Sequence, residues 1–228
     1  MNEDNRKEIR ISVRNLVEFV LRSGDIDNRR SASAQKDAML AGGRIHRKIQ
    51  KRMGGNYRAE VPLKYAALDE EEDIELLVEG RADGIFEEDG IVTIDEIKGV
   101  YMDLERLTEP VAVHMAQAMC YGYFYCCDKD LDGIRLQMTY CNLETEEIKR
   151  FQTDRSREEL ETWFSGVVHE YFKWARYLYH HELIRDASIG HLEFPFPYRA
   201  GQRDLVVSVY RTVSRKKRLF IQAPTGIG

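Results

Sequence analysis

Apolar residues along this chain change period several times, and each change predicts an element. Leu16, Val17, Val20 and Leu21 recur at helical spacing behind Ser12, whose hydroxyl suits an N-cap, and the pattern stops near Gly24. Asp25 to Ser33 is polar and reads as a loop. A second helix is expected from about Ala34 to Met53, ended by Gly54-Gly55. Gly42-Gly43 inside it lower its propensity and would let another backbone come close. Three strand-like segments follow, Tyr57 to Leu68, Ile74 to Phe86 and Ile91 to Gly99. The acidic turn Asp69 to Asp73 joins the first two, and Asp89-Gly90 is a tight-turn signal between the next pair. Helical spacing returns from Pro110 to about Cys127, with Pro110 suited to a first turn. Two more strands, Gly133 to Leu143 and Glu146 to Thr153, flank a short turn at Glu144-Thr145. A long amphipathic helix from Arg157 to about His181 completes the series.

The order α-α-β-β-β-α-β-β-α predicts an α/β or α+β sandwich around a central mixed sheet. After Gly190 the character changes. His191 to Tyr198 is rich in proline and aromatics and reads as a linker, Arg199 to Val213 as a helix, and Leu219 to Gln222 as a buried strand. The expected organisation is therefore one domain over residues 1–190 and the start of another over 191–228.

Composition narrows the class. Hydrophobic residues are 43% of 228, enough to fill a core and to exclude global disorder. No stretch approaches the roughly 18 apolar residues that span a bilayer, and the charged MNEDNRKEIRIS start lacks a signal peptide's apolar run. A soluble cytoplasmic protein is the simplest reading. Cys120, Cys126, Cys127 and Cys141 form no CxxC pair, and adjacent side chains on a helix point about 100° apart, so buried thiols are expected rather than a metal cluster. The formal net charge of −5 does not exclude nucleic acid, because binding depends on local patches. Two basic runs stand out, Arg44, Arg47, Lys48, Lys51 and Arg52, and Arg211, Arg215, Lys216, Lys217 and Arg218. Taken alone, each could be a solvated face.

Chemistry concentrates at Asp95-Glu96-Ile97-Lys98. Residues two apart on a strand share a face, so Glu96 and Lys98 project together from an apolar strand. Burying both charges is costly, and phosphodiester hydrolysis would justify the cost. The carboxylate would bind a hard cation, Mg²⁺ or Mn²⁺, and the lysine would position water or stabilise developing charge. Asp83, near the end of the preceding strand in Glu79-Gly80-Arg81-Ala82-Asp83-Gly84, would stand beside Glu96 across a short hairpin, with its glycines admitting backbone and metal.

The segments Glu79 to Phe86 and Thr93 to Gly99 resemble the core of the PD-(D/E)XK nucleases, with Asp83, Glu96 and Lys98 at the motif positions. Two further features resemble the RecB-like branch, which includes the CRISPR-associated exonucleases. Gly43-Arg44-Ile45-His46 matches its upstream histidine, and Gln117 and Tyr121 match its Gln-x-x-x-Tyr. The resemblance covers roughly residues 9 to 185. It implies a restriction-endonuclease-like fold, metal ligation by His46, Asp83, Glu96 and the Ile97 carbonyl, and catalysis by Lys98. It also implies that Gln117 and Tyr121 contact nucleic acid or brace the lysine. Arg44, Arg47, Lys48 and Lys51 would meet phosphates, while Glu60 and His114 rank below the main four. Many members carry a four-cysteine iron–sulfur cluster; with no cysteine before Cys120, none is expected here.

The tail resembles something else. Phe196 to Arg203 looks like the leading segment of superfamily 2 helicases of the DinG/XPD type, and Gln222 to Gly228 like a Walker A loop stopping before its lysine. The expectation is a DNA nuclease, preferring single-stranded ends, joined to a C-terminal helicase domain, with no ATP binding by this chain. The competing expectation is a non-catalytic module that feeds DNA to that helicase, and an RNA-directed nuclease is a third. Repair or recombination is the natural setting.

Overall fold

The computed structural model describes residues 6–24, 32–69, 71–193 and 195–222, and of residues 32–39 only the backbone. The elements in order are β1 Lys7–Ser12, α1 Val13–Val20, α2 Ala32–Arg52, β2 Arg58–Asp69, β3 Ile74–Glu88 and β4 Ile91–Val100. After them come a 3-10 turn at Leu104–Arg106, α3 Ala112–Lys129, β5 Gly133–Asn142, β6 Ile148–Ser156, α4 Arg157–Ile189 and α5 Gln202–Ser214. The chain divides into two compact units, Met1–Leu178 and Tyr179–Gly228, so α4 contributes to both. Among the described residues no helix is long and apolar enough to cross a membrane.

The first unit holds a mixed six-stranded sheet in the order β1-β3-β4-β5-β6, with β2 on the other edge of β3. This is the α/β sandwich that the element order predicts. β3 organises it. Along one edge it pairs antiparallel with β2 from Ile74 to Ile85. Along its other edge it takes two partners in turn, β1 in parallel over Ile74–Glu79 and β4 antiparallel over Gly84–Glu88. Residues 80–83 fall between those two ladders, and there the sheet forks. The expected tight turn closes the β3–β4 hairpin, with Asp89 and Gly90 both at positive φ (52° and 77°).

Alternation sorts the two faces. Ile97 and Cys141 pack with Ile45 and Ile49 of α2 on one face. On the other, Lys98 meets Gln117 of α3, and Gly122 of α3 sits on Leu136 and Ile134. Beyond α3, Phe164 of α4 packs on Tyr65, Tyr123 and Phe124 with ring centroids 5.2–5.5 Å apart. Arg176 of α4 grips Asp69 with two hydrogen bonds of 2.5 and 2.6 Å, tying the helix to the end of β2.

Ser12 caps α1 as expected, accepting from the Asn15 amide at 3.1 Å. Several expectations need correction. Lys7–Ser12 is a strand, although its charged residues suggested no element; parallel pairing to β3 supplies the ladder that its composition does not advertise. Pro110 precedes α3, whose N-cap is Val111. α4 runs on to Ile189, past His181. Leu219 to Gln222 is neither strand nor buried, and Phe220 is 94% exposed; among the described residues no strand lies beside it to share hydrogen bonds. Among the described residues outside the helix's own backbone, an added Cβ would meet nothing within 4 Å at Gly42 and only the end of Arg47, at 3.9 Å, at Gly43, so the close backbone approach expected there is not seen. Residues 25–31 of the expected loop, Phe194 of the expected linker and the Walker-like residues 223–228 lie outside the described residues.

Candidate active site

The fork in the sheet gathers the charged residues. Gly84 pairs with Asp95, so the next position on β3, Asp83, faces the strand just as β4 leaves the ladder. Its Oδ2 accepts the Ile97 backbone N–H at 2.8 Å, standing in for the missing strand partner. Its Oδ1 lies 3.2 Å from Nδ1 of His46, carried in by α2. Gln50, one turn further along the same helix, donates to the Asp83 carbonyl at 2.9 Å and to Glu60 Oε1 at 3.1 Å.

Glu96 and Lys98 project together towards α3. Lys98 Nζ donates to Glu96 Oε1 and to Gln117 Oε1, both at 2.7 Å. The Glu96 side chain is 5% exposed, and its Oε2 is buried without a hydrogen-bond partner. Burial pushes the Glu96 carboxyl up, and the Asp83 charge adds to this; Lys98 opposes both. Burial would lower His46, but the hydrogen bond and charge of Asp83 outweigh it and raise its pKa. His114 lies 3.2 Å from the Tyr140 hydroxyl, and burial followed by the Lys98 charge pulls its pKa down to about 4.

Three elements, α2, β3 and β4, thus bring His46, Asp83, Glu96 and Lys98 together. Gln117 is buried and braces the lysine. Tyr121 is buried over Gly80, where an added Cβ would stand 2.6 Å from its hydroxyl, in the stretch of β3 between the β1 and β4 ladders. The glycines beside Asp83, expected from sequence to admit a metal, are instead covered by aromatic rings, Tyr121 over Gly80 and Tyr57 over Gly84. Arg44, Arg47 and Lys51 are exposed on α2, while Lys48 forms a close ion pair with Glu146.

A buried polar group missed from sequence lies behind the site. Asp95 is fully buried and accepts from Tyr57 at 3.0 Å, Gln137 at 3.0 Å and Thr139 at 2.6 Å. Burial raises its pKa and those three bonds hold it down. The polar positions Gln137 and Thr139, two apart and so on one face of β5, were the available signal. Gln50 was also missed; its spacing of four from His46 was the clue.

The donor set suits a hard divalent cation. His46 supplies a ring nitrogen, and Asp83 and Glu96 supply carboxylate oxygens, one of them the unpartnered Glu96 Oε2. Among the described residues no group of three or more His, Cys, Asp or Glu side chains is already set to hold a metal ion, so binding would draw these three closer.

No family model matches the chain, and no curated protein matches it in sequence. Among solved structures it is similar to SSO0001, at 17% identity and a TM-score of 0.46, over 74% of this chain and 78% of that one. It is also similar to an alkaline exonuclease (LHK-Exo) from Laribacter hongkongensis, at 14% identity and a TM-score of 0.40, over 76% and 93%.

Proposed function

We propose that this chain is a metal-dependent nuclease that hydrolyses DNA phosphodiesters, acting as an exonuclease on single-stranded ends. The observation that carries the reading is the half-closed cluster at the fork. A buried carboxylate with an unpartnered oxygen, a second carboxylate, a histidine and a doubly held lysine meet where the sheet opens. Burying such charges without a task is costly. His46, Asp83, Glu96 and the Ile97 carbonyl would hold Mg²⁺ or Mn²⁺, which supplies water activation and neutralises charge developing on phosphorus.

The chain's own groups do the rest. Glu96 and Gln117 fix the Lys98 ammonium, leaving it one N–H with which to orient water or meet the scissile phosphate. Asp83, held by the Ile97 amide, keeps its second oxygen directed at His46. Exposed Arg44, Arg47 and Lys51 on α2 offer cations to the strand's phosphates.

The test is cleavage of end-labelled single- and double-stranded DNA with Mn²⁺, Mg²⁺ or EDTA. Lys98→Ala and Asp83→Ala should each lose at least about 10²-fold in rate. Cleavage that survives both substitutions, or EDTA, would sink the reading. DNA binding without cleavage under any metal would favour a module serving a helicase, for which the Phe196–Arg203 resemblance is the sequence support.

A further inference from the structure

Glu60 of β2 lies directly across from Asp83 of β3, since Ala59 pairs with Gly84 and Val61 with Ala82. Its φ is +56° near the start of β2, a left-handed conformation costly for a residue with a Cβ. The 60–83 pair is the one position missing from the ladder between Arg58 and Asp69. The Asp83 carbonyl is therefore served by a side chain, the Gln50 amide at 2.9 Å, whose other contact is the Glu60 carboxylate at 3.1 Å. Gln50 stands four residues after His46, on the same face of α2. One helix thus reaches Asp83 twice, at the carboxylate through His46 and at the backbone through Gln50.

We infer that Gln50 is a positioning residue. It bridges the kinked β2 to Asp83 and so fixes the direction of the Asp83 carboxylate between the Ile97 amide and His46. The inference deepens the nuclease reading and rests on it for its catalytic consequence, though not for its geometric one. Without Gln50, the Asp83 backbone has lost both its strand partner and its substitute, and the carboxylate is free to turn from Ile97.

Gln50→Met keeps the length and bulk of the side chain and removes both donors. Two readouts test it. The first needs no activity. Hydrogen exchange at the Ile97 amide, followed by NMR, should quicken about tenfold while amides in β5 and the melting temperature stay unchanged, as expected for loss of one local hydrogen bond. The second is cleavage against Mn²⁺ concentration. The half-saturating Mn²⁺ should rise by about 10–100-fold, with KM for DNA unchanged, as for partners that orient a metal ligand. Gln50→Glu, which keeps shape but presents a carboxylate to Glu60 and to the Asp83 carbonyl, should be at least as impaired. Unchanged Ile97 exchange in Gln50→Met overturns the inference whether or not the protein cuts DNA. Unchanged exchange beside active, Mn²⁺-dependent cleavage would overturn it and leave the nuclease reading standing.

Discussion

Glu96 is a buried carboxylate whose burial works against stability at neutral pH. It has a single partner for two oxygens and is nearly shut off from water. Its folded pKa is raised, so the folded state binds its proton more tightly than the unfolded chain does. Its contribution to stability is therefore fullest below the ordinary carboxylate range and falls as pH rises through the raised value. Glu96→Gln keeps an acceptor for Lys98 and removes the buried charge. It should gain about 1–2 kcal/mol at neutral pH, and the gain should vanish in acid, as measured by urea unfolding across pH. Cleavage by the same variant should be lost. A variant that is less stable at neutral pH would mean that the charge is better compensated than its surroundings indicate.

At the scale of elements, two fits hold the sheet together, one at the fork and one at the far end of β2. The Tyr57 ring crosses Gly84 to reach Asp95, the strand partner of Gly84. A Cβ at Gly84 would stand 1.9 Å from that ring, so Tyr57 must move and release its bond to Asp95. Gly84→Ala should cost about 1–3 kcal/mol by denaturant unfolding. Combined with Tyr57→Ala, the two costs should sum to less than their separate values, because the first clash has gone. The second fit joins α4 to β2. The Arg176 hydrogen bonds lower the Asp69 carboxyl below its ordinary pKa despite its burial. That stabilisation is present above the ordinary carboxylate pKa and is lost as pH falls through the lowered one. Arg176 is one-third exposed, which tempers the effect. Arg176→Met should lower stability at pH 7, and the difference should close in acid unfolding.

Across the whole molecule, charge is distributed rather than summed. A chain of net −5 places Arg44, Arg47 and Lys51 on the exposed side of the helix that carries His46, while Glu146 occupies Lys48. DNA affinity should fall steeply with salt, and Arg44→Ala or Arg47→Ala should each lower the slope of log affinity against log salt by about 1. A flat salt profile would remove α2 from the binding surface.

The sequence determined a good deal by itself. Period-two alternation in β4 put Glu96 and Lys98 on one face and Ile97 on the other, and the Asp89-Gly90 turn set Asp83 across from them, because these are consequences of local geometry. Ser12 as a cap and the long helix after Ser156 were legible for the same reason. Only the tertiary structure decided the rest. β1 was hidden in charged sequence because its ladder is supplied by a segment 67 residues away in register, Lys7 on Ile74. Leu219 to Gln222 had a strand's composition but no strand beside it among the described residues, and composition cannot supply a partner. The roles of Gln50, Tyr57 and Asp95 depend on where β3 changes partner, and the filling of Gly80 and Gly84 by tyrosines depends on packing from distant elements. Local pattern fixes which way a side chain points along its own strand, and only the assembled sheet fixes what it meets there.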